Sequence, residues 1–231
     1  MSTRLQPRNG RAARALARRR GAGRPAGATG EPLRERILEA ATAEFARLGL
    51  GGARVERIAA QAGANVGMLY YYFSSKDELF LAVLERAYAA IREAEKALEL
   101  DKGKPEEALR RLVSFTWRFQ LAHPEFITLL NSENLHQGRH LKRSPTVADM
   151  HSPLVEAIGR LLGRGVRAGA FREGVDPVQL YITIASLGYF YLSNRHTLSV
   201  IFRRDLLAAG QRAARLAHME DVVIGYLRPE R

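Results

Sequence analysis

Two short helical patterns joined by a three-residue turn constrain the fold of this chain more than any other feature. The first pattern stops at Gly63, and the second runs over residues 66–73, with Asn65 before it as a good N-cap. Two short helices that cross closely need a small residue at their contact, which Ala59 supplies, and a turn residue that tolerates positive φ, which Gly63 supplies. The pattern predicts a helix-turn-helix over about residues 55–74. The side chains that this arrangement should bury are Ile58, Ala62, Ala64, Leu69 and Tyr72.

Longer amphipathic helices flank this pair. Apolar residues recur at three- and four-residue spacing over residues 33–48, and Gly49 ends that pattern. Downstream, Ser75 and Glu78 stand at the spacing of a capping box, in which Ser75 would bond the Glu78 amide and Glu78 would reach back. The helix that this box opens is predicted to run to about Leu100 and to connect the pair to the rest of the chain.

Positive charge is concentrated at the amino-terminal end. The chain has 36 Lys+Arg against 24 Asp+Glu, a formal net charge of +12. Residues 1–30 hold eight arginines and no acidic residue, and Gly, Ala and Pro fill most of the remainder. Such a composition predicts a disordered basic tail. The tail is either a solvated extension or a source of sequence-independent attraction to DNA.

Residues 105–231 show helical patterns and no strand pattern. One helix, capped by Asp176, is apolar on nearly all sides, and such a helix must be buried on every face. We therefore expect part of it to pack against a second copy of the chain. The predicted helices start at Pro105 and Pro124 and then span Pro153–Arg167, Val178–Asn194 and about Leu206–Leu227.

The stretch from Ile37 to Leu84 resembles the TetR family of transcriptional regulators. The residues that carry the resemblance are Ile58-Ala59, Ala62-Gly63, Leu69-Tyr70-Tyr71-Tyr72-Phe73 and Ser75-Lys76-Asp77-Glu78-Leu79. It implies an all-α fold with a three-helix DNA-binding domain over residues 31–80 and a helical ligand-sensing and dimerisation domain over residues 81–231. It also implies a cytoplasmic homodimer, usually a repressor, that binds a palindromic operator in double-stranded DNA and is released by a small-molecule effector.

The resemblance also assigns DNA contacts. Val66 and Met68 stand where the family usually has polar residues, and they can touch a thymine methyl group but cannot form bidentate hydrogen bonds. Specificity then depends on Asn65, Arg54, Arg57 or DNA shape. Two alternatives stay open: Tyr70 as a half-buried residue at the rim of the core, and Lys76 as a solvated first-turn residue. The assigned contacts are Arg54, Asn65, Val66, Gly67 and Met68 near the bases and Tyr70, Tyr71 and Lys76 near the phosphates.

The effector pocket is expected in the second half of the chain. Its apolar wall would be Trp117, Phe119, Phe126 and Tyr181, and its polar points Asn134, His136 or His151. These residues are alternatively ordinary core residues. A separate alternative is a ligand-independent DNA-binding or protein-interaction module, in which the second domain only dimerises. An activator of the same fold is a further alternative.

Other classes of protein lack support in the sequence. The absence of cysteine excludes disulfides, thiolate zinc sites and cysteine nucleophiles. No run approaches the ~18 apolar residues of a membrane span, so no membrane partner is expected. His136 and His140 stand four residues apart, but Gly138 lies between them and no glutamate accompanies them, which argues against a metal site. No catalytic or cofactor-binding motif is present, and we expect neither an enzyme nor a cofactor.

Overall fold

The computed structural model describes the backbone of residues 30–229 and the side chains of residues 33–147 and 153–229. Nearly all of the predicted tail, residues 1–29, and the side chain of His151 lie outside the described residues. Within the described backbone the chain forms α-helices and one short 3-10 helix, without strands, which confirms the predicted all-α class.

Ten α-helices are described. They are α1 (Gly30–Gly52), α2 (Val55–Gln61), α3 (Val66–Phe73), α4 (Lys76–Lys96), α5 (Pro105–Ala122), α6 (Pro124–Leu135), α7 (Pro145–Arg167), α8 (Pro177–Ser193), α9 (Arg195–Phe202) and α10 (Ala209–Leu227). The 3-10 helix spans Leu141–Arg143. Gly49 has φ 65° and ψ 177°, so the regular part of α1 ends where the sequence predicted.

We call α1, α2, α3 and the first half of α4 (residues 33–84) the head. Its core is apolar and closely packed, and the Phe45 and Phe80 rings meet edge to face at 5.1 Å. Ala59 is buried and Gly63 has φ 65°, as the predicted turn requires. One difference concerns the residues predicted to be buried: Ala64 in the turn and Tyr72 on α3 are only partly buried, whereas Phe73 is buried.

The remaining helices form a second unit, the C-terminal bundle. Its core is built mainly from α5, α7, α8 and α10, and Trp117 lies fully buried within it. The apolar helix predicted after Asp176 is α8, and the Asp176 carboxylate accepts hydrogen bonds from the amides of Val178 and Gln179 at 2.7 and 3.3 Å. This cap fixes the start of α8 as the sequence predicted.

The structure corrects several helix bounds. The connector α4 ends at Lys96 and not near Leu100, since Glu99 has φ 45° in the following turn. The helix predicted from Pro153 starts at Pro145, where the Ser144 hydroxyl accepts from the Val147 amide at 3.3 Å. Because proline is common at helix starts, Pro153 was predicted to begin a helix. This prediction is wrong, since Pro153 lies inside α7.

Two further differences affect α8 to α10. The short helix α9 has no counterpart among the predicted helices, because Ser193-Asn194 resembles a helix end and only eight helical residues follow. The last helix starts at Ala209, a few residues after the predicted Leu206.

Helix α6 ties the two units together. Leu129 belongs to the core of the head, and the Ser132 hydroxyl accepts a hydrogen bond from the Leu50 amide at 3.1 Å. The head core therefore continues past residue 80, to Leu84 on α4 and to α6. Any movement of α6 must change the position of α1 as well.

Candidate nucleic-acid interface

The first turn of α3 is exposed and rigidly capped. Asn65 precedes the helix in an extended conformation, and its side-chain oxygen accepts from the Met68 amide at 2.8 Å, as the sequence predicted. This bond uses one lone pair of the side-chain oxygen, and the amide NH₂ of Asn65 remains available to donate to a base. Asn65 and Gly67 are exposed, whereas Val66 and Met68 are partly buried. At Gly67 a Cβ atom would lie 3.2 Å from the Asn65 oxygen, so glycine leaves room for the cap.

The far end of α3 presents two tyrosines. Tyr70 is 41% exposed and Tyr71 is 77% exposed, so both phenol rings are open to solvent. Lys76 is partly exposed and opens α4 directly after the Ser75 cap, whose hydroxyl accepts from the Glu78 amide at 3.0 Å. Phenol and ammonium groups bind phosphate oxygens without distinguishing bases. The predicted DNA contacts on this side of the head thus lie on α3 or directly next to it: Asn65, Tyr70, Tyr71 and Lys76.

A buried carboxylate holds the start of α2. Arg54 precedes α2 without a side-chain cap, and Glu44 of α1 accepts from its amide at 3.4 Å. Arg47 hydrogen-bonds the Glu44 carboxylate at 2.9 Å, and Arg57 lies 3.5 Å from it. Burial by itself would raise the pKa of Glu44, but these partners hold that pKa below its ordinary value. Glu44 therefore ties the start of α2 to α1, and the Arg57 side chain is engaged with it.

The start of α4 is held by the loop between α6 and α7, residues 136–144, which we call the α6–α7 loop. Arg139 lies 3.5 Å from the Asp77 carboxylate, and Arg143 pairs with Glu78. Glu78 thus turns toward the loop, and the Ser75 amide donates to the Phe73 carbonyl at 2.5 Å. The second half of the predicted capping box is therefore replaced by contacts to the C-terminal bundle.

A buried Glu–His pair anchors this loop. Glu133 accepts from the amides of His140 and Leu141 at 2.8 and 3.0 Å, and His140 Nδ1 lies 2.5 Å from its second oxygen. The His140 ring also meets Phe80 of the head edge to face at 5.0 Å. His140 is therefore engaged in a structural contact. The described residues contain no cluster of three or more potential metal ligands.

The second half of α4 carries two buried charged residues, Arg92 and Glu95, with the partly buried Tyr88 and Tyr181 nearby. Arg92 donates to the Tyr181 hydroxyl at 3.3 Å and lies 2.7 Å from the Glu95 carboxylate. Burial raises the pKa of Glu95 to about 7, an effect that the Arg92 charge partly offsets. Burial, together with the neighbouring Tyr181, raises the pKa of Tyr88 to about 12. A cavity of about 470 Å³ between α4 and α7 opens onto Arg92 and Glu95.

The predicted pocket residues do not form one site. Trp117 is a core residue against Tyr191, and Tyr181 binds Arg92. Phe119 and Phe126 line a different groove, next to α1 and α4. Of the predicted polar points, Asn134 is exposed. Asn131, which was not among them, lies one turn earlier, donates to the Ser193 hydroxyl at 3.1 Å and accepts from Tyr189. His136 is partly buried and binds the Ser132 carbonyl through Nδ1 at 2.7 Å.

Sequence reasoning missed Arg92 and Glu95. The signal that could have found them is their register: with Tyr88 they continue the buried stripe of α4, where apolar residues are expected. A charge at such a position is costly unless it is paired or functional. In the described part of the chain, no helix is long and apolar enough to cross a membrane.

Family models match both units of this architecture. The model of bacterial regulatory proteins of the tetR family matches residues 37–83, and the model of the tetracyclin repressor-like C-terminal domain matches residues 105–223. The chain belongs to the TetR family. It is accordingly a helix-turn-helix DNA-binding regulator of transcription, which confirms the resemblance and the expectation that the chain is not an enzyme.

Individual relatives agree with this assignment. The HTH-type transcriptional repressor NicS of Pseudomonas putida is 42% identical over 195 residues, which cover 84% of this chain and 92% of NicS. RutR of Escherichia coli, an HTH-type transcriptional regulator, is 30% identical over 148 residues, 64% of this chain and 68% of RutR. The crystal structure of the TetR-family regulator PfmR from Thermus thermophilus superimposes with a TM-score of 0.61 at 26% identity, covering 86% of this chain and 97% of PfmR.

Proposed function

We propose that this TetR-family regulator is a cytoplasmic homodimeric repressor that reads a near-palindromic operator and leaves it when a small molecule binds. The observation that carries the proposal is the capped, exposed first turn of α3, with Tyr70, Tyr71 and Lys76 around its far end. In this arrangement Asn65 and Gly67 face the base edges, while the tyrosines and Lys76 hold phosphates. Repression is supported by the name of NicS.

The dimer rests on an unburied apolar face. Val178, Ile182 and Phe190 on α8 are 44%, 49% and 60% exposed, and their spacing in multiples of four places them on one helical face. On α10, Val222 and Tyr226 are also exposed. A two-fold dimer would bury this face and present two heads to half-sites about one helical turn apart, ~34–36 Å, or a multiple of that distance.

Release by an effector rests on the buried polar groups of the C-terminal bundle. Arg92 and Glu95 line the cavity between α4 and α7 and offer both donors and acceptors to a ligand. Arg92 belongs to α4, whose first turn carries Lys76. A ligand that binds more tightly to the DNA-incompetent head spacing must weaken DNA binding by the same coupling free energy.

Substitutions in α3 test the reading surface. The DNA would be the intergenic sequence beside the gene, searched for a protected palindrome, with a scrambled duplex of equal length for comparison. Asn65→Ser keeps a side chain that can cap α3 but is too short to reach a base. We expect it to weaken operator binding about tenfold more than scrambled-DNA binding in fluorescence anisotropy.

Lys76→Ala is the matched variant at a phosphate contact. It should weaken both duplexes by a similar factor and lower the slope of log affinity against log salt concentration by about one. Circular dichroism would verify that each variant is folded. If Asn65→Ser weakened both duplexes equally, Asn65 would not read bases.

A further inference from the structure

A second cavity lies where the head meets the C-terminal bundle. It has a volume of about 460 Å³ and is separate from the cavity beside Arg92. Its walls come from α1, from the middle of α4 and from the turn between α5 and α6, so both units contribute to it. We call it the junction groove. Its volume lies in the range of small-molecule sites.

Aromatic rings form one side of the junction groove. Phe119 and Phe126 meet nearly perpendicularly, with ring centroids 6.2 Å apart, and His123 lies over Phe119 at 4.3 Å. Tyr88 supports Phe126 from behind, edge to face at 5.5 Å. Val83 and Ala87 of α4 complete an apolar wall. Such a wall can take a hydrocarbon or aromatic group, and its rings can also attract a cation.

The charged residues of the groove carry an excess of negative charge. The carboxylates of Glu39 and Glu125 line it, and Arg86 is the single Lys or Arg among its lining residues. The Arg86 guanidinium is already paired, at 3.3 Å with Glu35 and at 3.9 Å with Glu39. His123 Nδ1 lies 2.9 Å from Glu125 Oε1, and the Glu125 side chain remains partly exposed. The carboxylates and the ring faces would both repel an anion in this groove, whereas both would attract a cation.

We propose that the junction groove binds a small organic monocation that carries an aromatic or aliphatic group. The apolar wall takes the hydrocarbon part, and the cationic centre lies between the rings and the carboxylates of Glu39 and Glu125. A quaternary ammonium fits this chemistry because it has no N–H donors that would be left unpaired beside apolar atoms. The junction groove shares no lining residue with the cavity beside Arg92, which is the site of the proposed effector.

A ligand in this groove would touch the head and the C-terminal bundle at once. Its affinity then depends on the distance between α1 and the turn between α5 and α6, and DNA binding in turn depends on whether the groove is filled. This coupling rests on the proposed function. The binding of the cation does not.

Binding is tested with the full chain in the absence of DNA. Isothermal titration calorimetry with benzyltrimethylammonium should give a dissociation constant about tenfold lower than for phenylacetate or for benzyl alcohol, the anionic and neutral analogues. The double variant Glu39→Gln with Glu125→Gln keeps the size of both side chains. It should weaken benzyltrimethylammonium about tenfold and leave benzyl alcohol unchanged.

Glu107→Gln is the control for negative charge outside the groove. Glu107 lies at the start of α5, its side chain is 61% exposed, and its removal lowers the total negative charge outside the groove. Equal affinities for the three probes, or an equal loss in Glu107→Gln, would overturn the proposal. So would a loss of cation binding in Arg92→Met with none in the double variant, since the site would then be the cavity beside Arg92.

The proposed function can fail separately. If the unliganded chain protects no operator, the repressor proposal fails, while cation binding that depends on Glu39 and Glu125 still supports the groove. If the chain binds an operator with the same affinity at saturating benzyltrimethylammonium, the coupling is overturned and the binding site stands.

Discussion

The head and the interior of the C-terminal bundle bury polar groups in opposite ways. In the head and at its contact with α6, Glu44, Ser132 and Glu133 each accept hydrogen bonds from backbone amides. In the bundle, Arg92 Nε and Gln120 Oε1 are buried without a hydrogen-bond partner, although Arg92 donates through another nitrogen. A buried group left unpaired costs about 1–3 kcal/mol of folding free energy.

This difference separates two requirements of a regulator. A surface that reads DNA must keep its geometry, and complete hydrogen bonding with close apolar packing gives one preferred arrangement. A sensing domain must change, and partly unsatisfied polar groups can gain partners from a ligand or from a rearranged α4. Substitutions in the two units should therefore change the stability of the chain by different amounts.

The largest effect is expected in the head core. Phe45 is fully buried against Phe80, so Phe45→Ala should lower the free energy of unfolding by about 3–5 kcal/mol. Urea denaturation followed by circular dichroism, at fixed protein concentration, measures this quantity. Leu135→Ala, at an 83% exposed position of α6, is the control and should change it by less than about 0.5 kcal/mol. A Phe45→Ala loss below about 1 kcal/mol would mean that the head core is loosely packed.

An intermediate effect is expected from the buried carboxylate of the bundle. Burial raises the pKa of Glu95 to about 7 from 4.5, so the folded chain holds this proton more tightly than the unfolded chain. The Glu95 contribution to the free energy of unfolding should therefore fall as pH rises from about 4.5 to about 7, by at most about 3 kcal/mol, and stay constant above that range. The measurement is the difference between wild type and Glu95→Gln in urea unfolding across that pH range.

Glu93→Gln is the control for this series. It removes an exposed carboxylate of the same helix, which pairs with Lys96 at 2.6 Å. The pH-dependent difference should be present with Glu95→Gln and absent with Glu93→Gln. The same pH-dependent difference for both variants would show that total charge, and not burial, is responsible.

The smallest effects concern single hydrogen bonds. Ser132→Ala leaves the Leu50 amide without its partner and should lower the free energy of unfolding by about 1–2 kcal/mol. Gln120→Met removes an unpaired buried oxygen and one bond to the Ala185 carbonyl, and should raise the free energy of unfolding by up to about 1 kcal/mol. A gain for Ser132→Ala, or a loss above about 1 kcal/mol for Gln120→Met, would remove the contrast between the two units.

The candidate reading surface could be predicted in large part from the sequence. Gly63, Asn65 and Ser75 have the predicted turn and capping geometry. The pocket could not be predicted, because Trp117, Phe119 and Tyr181 are equally compatible with a core or with a cavity wall until the neighbouring helices are placed. Helix α7 was predicted to start too late because one proline can begin a helix or be tolerated inside it.

The sequence by itself determined the capped helix starts at Asn65, Ser75 and Asp176 and the turn at Gly63, because a cap or a positive-φ glycine depends on atoms within about four residues of each other. The tertiary structure alone decided which distant groups meet. Glu44 reaches the amide of Arg54 from another helix, and Arg92 and Tyr181 are 89 residues apart. Such contacts depend on how whole helices pack against each other. The periodicity of residues within one helix therefore does not predict which distant side chains meet.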